Sequence, residues 1–191
     1  MTVKPPRKRD AQATKARILD AAQEVFARTS FSDAGIREIA ALAEVSTTLL
    51  LQYFGSKAGL YEAALNAAMP LDSVLAQPRA TFGETLAASL LKPGRAIHPP
   101  LMIALAAGDG EAAAMAARVT EARAIAPLAE WLGPPNARAR SLQIAALATG
   151  LVTYTKHIPL RANTRKDVKL MAEWFAATVQ RIVDAKDEES S

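Results

Sequence analysis

Of the 191 residues, 42 are alanine, and this excess limits the possible folds more than any other property of the chain. Alanine gives up no side-chain rotamer entropy on entering a helix, and its single methyl lets two helices pack closely. Aromatic residues are only 5% of the chain, and no stretch of useful length alternates apolar and polar residues as a strand would. An all-α protein is expected, and with half of its residues hydrophobic it is long enough to bury a core. There is no cysteine, which removes disulfide scaffolds, thiolate zinc sites, cysteine nucleophiles and iron–sulfur clusters together. The longest uncharged run, 141–155, is 15 residues, short of the roughly 20 that cross a bilayer. No apolar stretch follows the basic start, so the expectation is a cytoplasmic protein with no membrane contact.

The net charge of +4 is unevenly spread. Within residues 1–17, Lys4, Arg7, Lys8, Arg9, Lys15 and Arg17 stand against Asp10 alone, a local +5, which leaves the rest of the chain at −1. A basic arm on a near-neutral body fits contact with a polyanion, nucleic acid before membrane; a merely solvated terminus has the same composition. Pro5 and Pro6 block an early helix, so residues 1–9 read as a disordered basic arm. Asp187, Glu188 and Glu189 mark 186–191 as a disordered acidic tail.

Helical periodicity starts at Asp10, with Ile18, Ala22, Val25 and Phe26 on one face. Turn formers follow at 29–33, where Ser32 or Asp33 is placed to cap a short second helix carrying Ile36, Ile39, Ala40 and Ala43. Ser46 is placed to cap a third helix with Leu49, Leu50, Tyr53 and Phe54 as its apolar positions; Gly55 ends it and Ser56 caps a fourth. Pro70 ends or kinks that fourth helix and is a candidate hinge. Thr81 and Glu84 have capping-box spacing for a helix to about Leu91, and Thr164 and Asp167 repeat the pattern for the last one. Between them lie a short buried helix at 101–107, an alanine-rich one from 111 that Pro127 interrupts, and a long one at 138–157. About nine helices result. The last carries two stripes, Val168, Met171, Ala172, Phe175, Val179 and Ile182 on one side, and Leu170, Trp174, Ala177 and Arg181 on another. Helices that are apolar on two faces need two surfaces to pack against. A homodimer through 138–157 and 165–184 supplies the second, where the alternative is a helix central to a monomer's bundle.

The second and third helices with their short connection form a helix-turn-helix, whose second member enters the DNA major groove. From Thr14 to Leu65 the residues make this specific: Ala16-Arg17-Ile18-Leu19-Asp20-Ala21-Ala22, Val25-Phe26-Ala27, Phe31, Ile36-Arg37-Glu38-Ile39-Ala40, Val45-Ser46, Tyr53-Phe54, Ser56-Lys57 and Leu60-Tyr61. In order and without gaps, this run resembles the DNA-binding segment of TetR-family transcriptional regulators; the rest of the chain is similar only in its helical layout. The resemblance implies an N-terminal three-helix DNA-binding domain at 10–56 and a C-terminal helical ligand-binding and dimerisation domain at 57–185. It also implies an Ω-shaped homodimer on the palindromic operator of double-stranded DNA, more often a repressor, with a small ligand in the larger domain altering the separation of the two reading heads.

On that resemblance Ser46 caps the reading helix and turns its backbone N–H toward a phosphate, while Thr47, Thr48 and Gln52 face the groove. Gln52 has the amide that pairs bidentately with an adenine edge. Tyr53 and Lys57 match the family's phosphate contacts, and Arg37 is a further candidate. Val45, Leu50, Phe54, Ile18, Phe26 and Ile39 are assigned to the core. Three departures stand out: Glu44 where the family often has glycine, Thr47 where it often has lysine or arginine, and Leu51 in place of a common aromatic. Leu49 and Leu51 either touch thymine methyls or pack.

The residues offer little else chemically. The two histidines, His98 and His157, lack carboxylates at metal-ligand spacing, and Gly55 to Gly59 lacks the spacing of a phosphate loop. No metal, cofactor or enzymatic activity is expected. Met102, Met115, Trp131, Thr153 and Tyr154 are candidate walls of a ligand pocket or simply core, and the scarcity of charge after Pro70 points to a mostly apolar ligand. A small helical enzyme would need a clustered acid–base or metal set in that region. A non-specific architectural DNA binder would need basic residues on several faces, whereas the positive excess is confined to the arm.

Overall fold

The computed structural model describes residues 8–69, 71–92, 99–158 and 164–185, and all of its regular structure is helical. The arm up to residue 7, Pro70, His98 and the acidic tail lie outside the described residues, as does the side chain of His157.

Four helices build the N-terminal head: α1 (Lys8–Phe26), α2 (Ile36–Leu42), α3 (Thr47–Phe54) and α4 (Lys57–Ala68). Helix α1 begins two residues before Asp10 and so takes Lys8 and Arg9 out of the expected arm. Ile18, Val25, Phe26, Phe31, Ile39, Leu50, Leu60 and Tyr61 form the core of the head, with Val45 and Phe54 packed against it. Tyr61 stands edge-on to both Phe26 and Phe31, at 5.0 and 5.5 Å between ring centres, the arrangement that the ring quadrupoles favour. The buried amide of Gln23 donates to the Ala64 carbonyl at 2.9 Å and ties α1 to α4.

The α2 cap differs from expectation: Gly35 occupies the position, with no side-chain bond. Ser32 and Asp33 are drawn into the preceding turn, where the Ser30 hydroxyl donates to the Asp33 carboxylate at 2.6 Å and accepts from the Asp33 N–H at 3.2 Å. Short polar side chains bond to whichever backbone lies nearest, and here the turn is nearer than the helix.

The body holds α5 (Leu71–Leu75), a 3₁₀ turn (Arg79–Thr81), α6 (Phe82–Leu91), α7 (Pro99–Ala106), α8 (Gly110–Thr120), α9 (Ala126–Leu132), α10 (Ala137–Val152) and α11 (Arg165–Asp184). The helical run continues through Pro127 rather than being interrupted by it. A π-turn (Glu121–Ile125) joins α8 to α9, and its wide Ala126 N–H to Glu121 O bond comes just before the residue that has no N–H to give. A second π-turn (Thr153–His157) ends α10. Thr81 does not cap α6 either. Its hydroxyl donates to the Pro78 carbonyl, and the first-turn N–H of Gly83 goes to Gln180 of α11 at 3.1 Å. Asp109 caps α8, and the Thr164–Asp167 capping box is complete in both directions. The Thr164 hydrogen bonds hold the Asp167 carboxyl below its ordinary range.

Two cores result. Phe82, Leu128, Ile144, Leu151, Phe175 and Val179 make that of the body. The core of the head does not stop at residue 56; it continues through α4 into Met102, Met115 and Val119 of α7 and α8. Tyr61 sits at that junction, and its hydroxyl donates to the Met102 carbonyl at 3.1 Å. Burial pushes the Tyr61 hydroxyl up to about 12. Because the unfolded chain ionises near 10, folding stability is intact below pH ~10 and is lost as pH rises toward ~12, by about 3 kcal/mol in all. Urea midpoints measured at pH 9 and pH 11.5 should show about two-thirds of this fall, and Tyr61→Phe should remove most of it while costing about 1 kcal/mol at pH 7.

Candidate nucleic-acid interface

The short α3 is fixed at both ends by its own sequence. The Ser46 hydroxyl accepts from the Leu49 N–H at 3.1 Å, and Gly55 leaves the helix at φ 75°, a left-handed conformation that suits a residue without Cβ. The Ser56 hydroxyl then accepts from the Gly59 N–H at 3.0 Å to start α4. A Cβ on Gly59 would lie 2.3 Å from the Phe54 carbonyl oxygen, so the first turn of α4 rests directly on the last turn of α3.

Between these caps Leu50 is fully buried, whereas Thr48, Leu51 and Gln52 are exposed along one ridge of the helix. Leu51 is 40% exposed and Leu49 is half-buried. Thr47 and Tyr53 are half-buried at the edges of the ridge, and Ser46 and Arg37 are exposed. Glu44 does adopt the turn geometry, at φ 53°, and the turn bonds from Glu44 N to Ala41 O and Val45 N to Ala40 O close at 3.1 and 2.9 Å. A non-glycine residue there stores about 1–2 kcal/mol of strain. The exposed Arg17–Glu44 pair at 3.8 Å offsets little of it.

Lys57 is already engaged: its ammonium donates to the Ser32 carbonyl at 2.9 Å and lies 4.9 Å from the centre of the Phe31 ring. It therefore ties the start of α4 to the α1–α2 turn, with further N–H groups left for a phosphate. Lys15 adds only charge to the sequence pattern, yet its Nζ lies 5.4 Å from the centre of the Tyr53 ring. That places a second cation beside the ridge. Arg28, bonded to both Glu24 and Glu38, holds α2 against α1. The Arg28–Glu38 and Lys15–Tyr53 contacts join separate elements, so no local pattern announces them, whereas Glu24 lies four residues before Arg28.

In the body, a cavity of about 140 Å³ lies between the end of α4, at Ala68 and Met69, and α5 to α10. None of the five residues expected in a pocket lines it. Met102 and Met115 are buried in the core of the head. Trp131 stacks on Phe82 at 4.8 Å and takes the Arg79 guanidinium over its face at 4.6 Å. Thr153 is half-buried in the second π-turn, and Tyr154 is exposed beside it. On α7, Ile103 lines the cavity, and its neighbour Met102 is turned about 100° away. Among the described residues no group of three His, Asp or Glu side chains is placed to hold a metal, and no helix is long and apolar enough to cross a membrane.

A capped helix-turn-helix head whose core runs into a separate helical body defines the class to which the protein belongs. Residues 18–64 match the family model described as bacterial regulatory proteins, tetR family, and residues 80–183 match that of the tetracyclin repressor-like C-terminal domain. The chain belongs to the TetR family of transcriptional regulators. A curated relative, the HTH-type transcriptional repressor SCO4008 of Streptomyces coelicolor, is 41% identical over 70 residues, which span 37% of this chain and 36% of that protein. Among solved structures, a TetR-family regulator from Rhodococcus sp. superposes with a TM-score of 0.69 at 16% identity, covering 91% of this chain and all of that one. NalD, the secondary repressor of the MexAB-OprM multidrug efflux pump in Pseudomonas aeruginosa, has a TM-score of 0.64 at 20% identity, over 90% and 97% of the two chains. At these identities the likeness is one of fold.

Proposed function

We propose that this protein is a cytoplasmic, ligand-responsive repressor that reads a palindromic operator as an Ω-shaped homodimer and is released by a small, mostly apolar molecule bound in the body. The outward ridge of Thr48, Leu51 and Gln52 on a helix capped at both ends is the observation that carries the reading. Gln52 pairs with an adenine edge, and Leu51 meets a thymine methyl. Tyr53, Lys57, Arg37 and the Ser46 N–H engage phosphates and set the register.

The dimer forms through α10, its closing π-turn and α11, whose outer faces expose Leu142, Tyr154, Leu170 and Trp174. Four large apolar side chains at about half exposure are costly in water, and a two-fold interface covers both copies at once. Release follows from α4, since one end abuts the reading helix and the other lines the cavity. A ligand that moves the cavity end of this rod moves α3. Two reading helices held about 34–36 Å apart lose register after a small rotation.

The test is an electrophoretic shift with the DNA upstream of the chain's own gene, titrated with salt. Gln52→Ala should reduce discrimination at one base pair of each half-site by about 10- to 100-fold, the worth of a bidentate base contact. Lys57→Ala should weaken all duplexes alike and lower the salt slope by about one. A complex with no sequence preference at about 0.15 M salt would refute the regulator reading.

A further inference from the structure

We propose that the body cavity takes one uncharged molecule about the size of a single aromatic ring, carrying one hydrogen-bonding group, and that Thr120 recognises that group. This rests on the ligand-responsive reading above and narrows it to a class of ligand.

Size sets the first limit. The cavity is about 140 Å³. An aliphatic cavity of roughly 150 Å³ takes up benzene, while drug-sized ligands occupy roughly 300–1,000 Å³. The lining sets the second. Its walls are mostly apolar, and none of its described residues is charged, so an ionised ligand would be buried without a partner.

Only four side chains in the lining are polar: Ser89, Thr120, Ser141 and Thr149. The Ser141 hydroxyl donates to the Ile125 carbonyl at 2.9 Å, and that of Thr149 to the Ala145 carbonyl at 3.0 Å. Thr120 differs, for its Oγ1 is buried and has no partner. Thr14, Thr149 and Thr155 bond back to the carbonyl four residues earlier. Thr120 is the last residue before the π-turn and makes no such bond. A water held by this one hydroxyl would lack the two to four polar partners that a buried water needs. A phenol, aromatic alcohol or ketone supplies the missing bond and fills the remaining space with apolar surface.

Isothermal titration of the full chain with phenol, toluene, benzoate and pyrene tests the assignment. Phenol should bind one per chain and toluene about 10-fold more weakly, the worth of one hydrogen bond. Benzoate and pyrene should not bind. Thr120→Val, of nearly the same shape, should bring phenol down to the affinity of toluene and leave toluene unchanged, and Thr120→Ser should keep the preference if the valine variant misfolds. Equal binding of phenol and toluene, a preference that survives in Thr120→Val, tighter binding of benzoate or pyrene, or no binding of any probe would overturn the proposal. A DNA shift run with and without phenol separates the two readings. If phenol binds as described but leaves the DNA complex intact, the ligand class stands and ligand-responsive repression fails.

Discussion

Arg140→Leu should lower folding stability by about 3–5 kcal/mol and the melting temperature by roughly 10 °C, measured by calorimetry or urea unfolding. Arg140 is only 5% exposed, and its acceptors are main-chain carbonyls rather than a carboxylate. One terminal nitrogen donates to Ile182 O and Ala185 O at 3.3 and 3.2 Å, the other to Leu132 O at 3.3 Å and to Gly133 O. These carbonyls end α9 and α11, where no further turn exists to satisfy them and where the helix dipoles favour a cation. Swapping both members of a buried ion pair for hydrophobic groups is often harmless, but here only the donor would leave. The part-buried carbonyls of Ile182 and Gly133 would lose this donor, and the buried Leu132 carbonyl would keep only Arg79. Arg79 reaches Leu132 O and Val183 O at 3.0 and 3.1 Å and serves only part of the set. Arg140→Lys should recover less than half of the loss, since a single ammonium lacks the planar fork that spans two helix ends. A melting point within ~2 °C of the native chain would contradict this account.

Gly83→Ala should be nearly as damaging, at about 3 kcal/mol. The added Cβ would lie 2.1 Å from the Ala176 carbonyl oxygen and 3.0 Å from its carbon. Both are backbone atoms, so no side chain can swing aside, and α6 and α11 must separate. That separation also breaks the Gly83 N–H to Gln180 bond. Alanine's better helix propensity returns only about 1 kcal/mol, less than overpacking of this severity costs. Because α11 also carries Leu170 and Trp174, the self-association constant from sedimentation should weaken along with the melting temperature. A variant as stable as the native chain would mean that the two helices are not pressed together here.

The exposed ridge of α3 and the caps that support it were legible in the chain itself. The Ser46 and Ser56 caps and the Thr164–Asp167 box each satisfy a backbone N–H three residues away, so the pattern and the bond are nearly the same information. The outward placement of Thr48 and Gln52 follows from the period that buries Leu50. The Thr81–Glu84 spacing had the same appearance, yet that helix start is served by Gln180, 97 residues away from Gly83. A capping pattern states what is possible locally and cannot know that another helix arrives first.

The pocket shows the same limit more sharply. Methionine, tryptophan and tyrosine were the natural wall residues by chemistry, but which way each one faces depends on helix phase to within one residue. A π-turn shifts that phase in a way no period reveals. Alanine content, helix caps and the exposed ridge of α3 arise from interactions within about four residues, and these the chain states for itself. The cavity behind Thr120, the arginine that closes two helix ends and the crossing at Gly83 join segments 40 to 100 residues apart. Only the packed structure decides those, because close packing, unlike periodicity, depends on which surfaces meet.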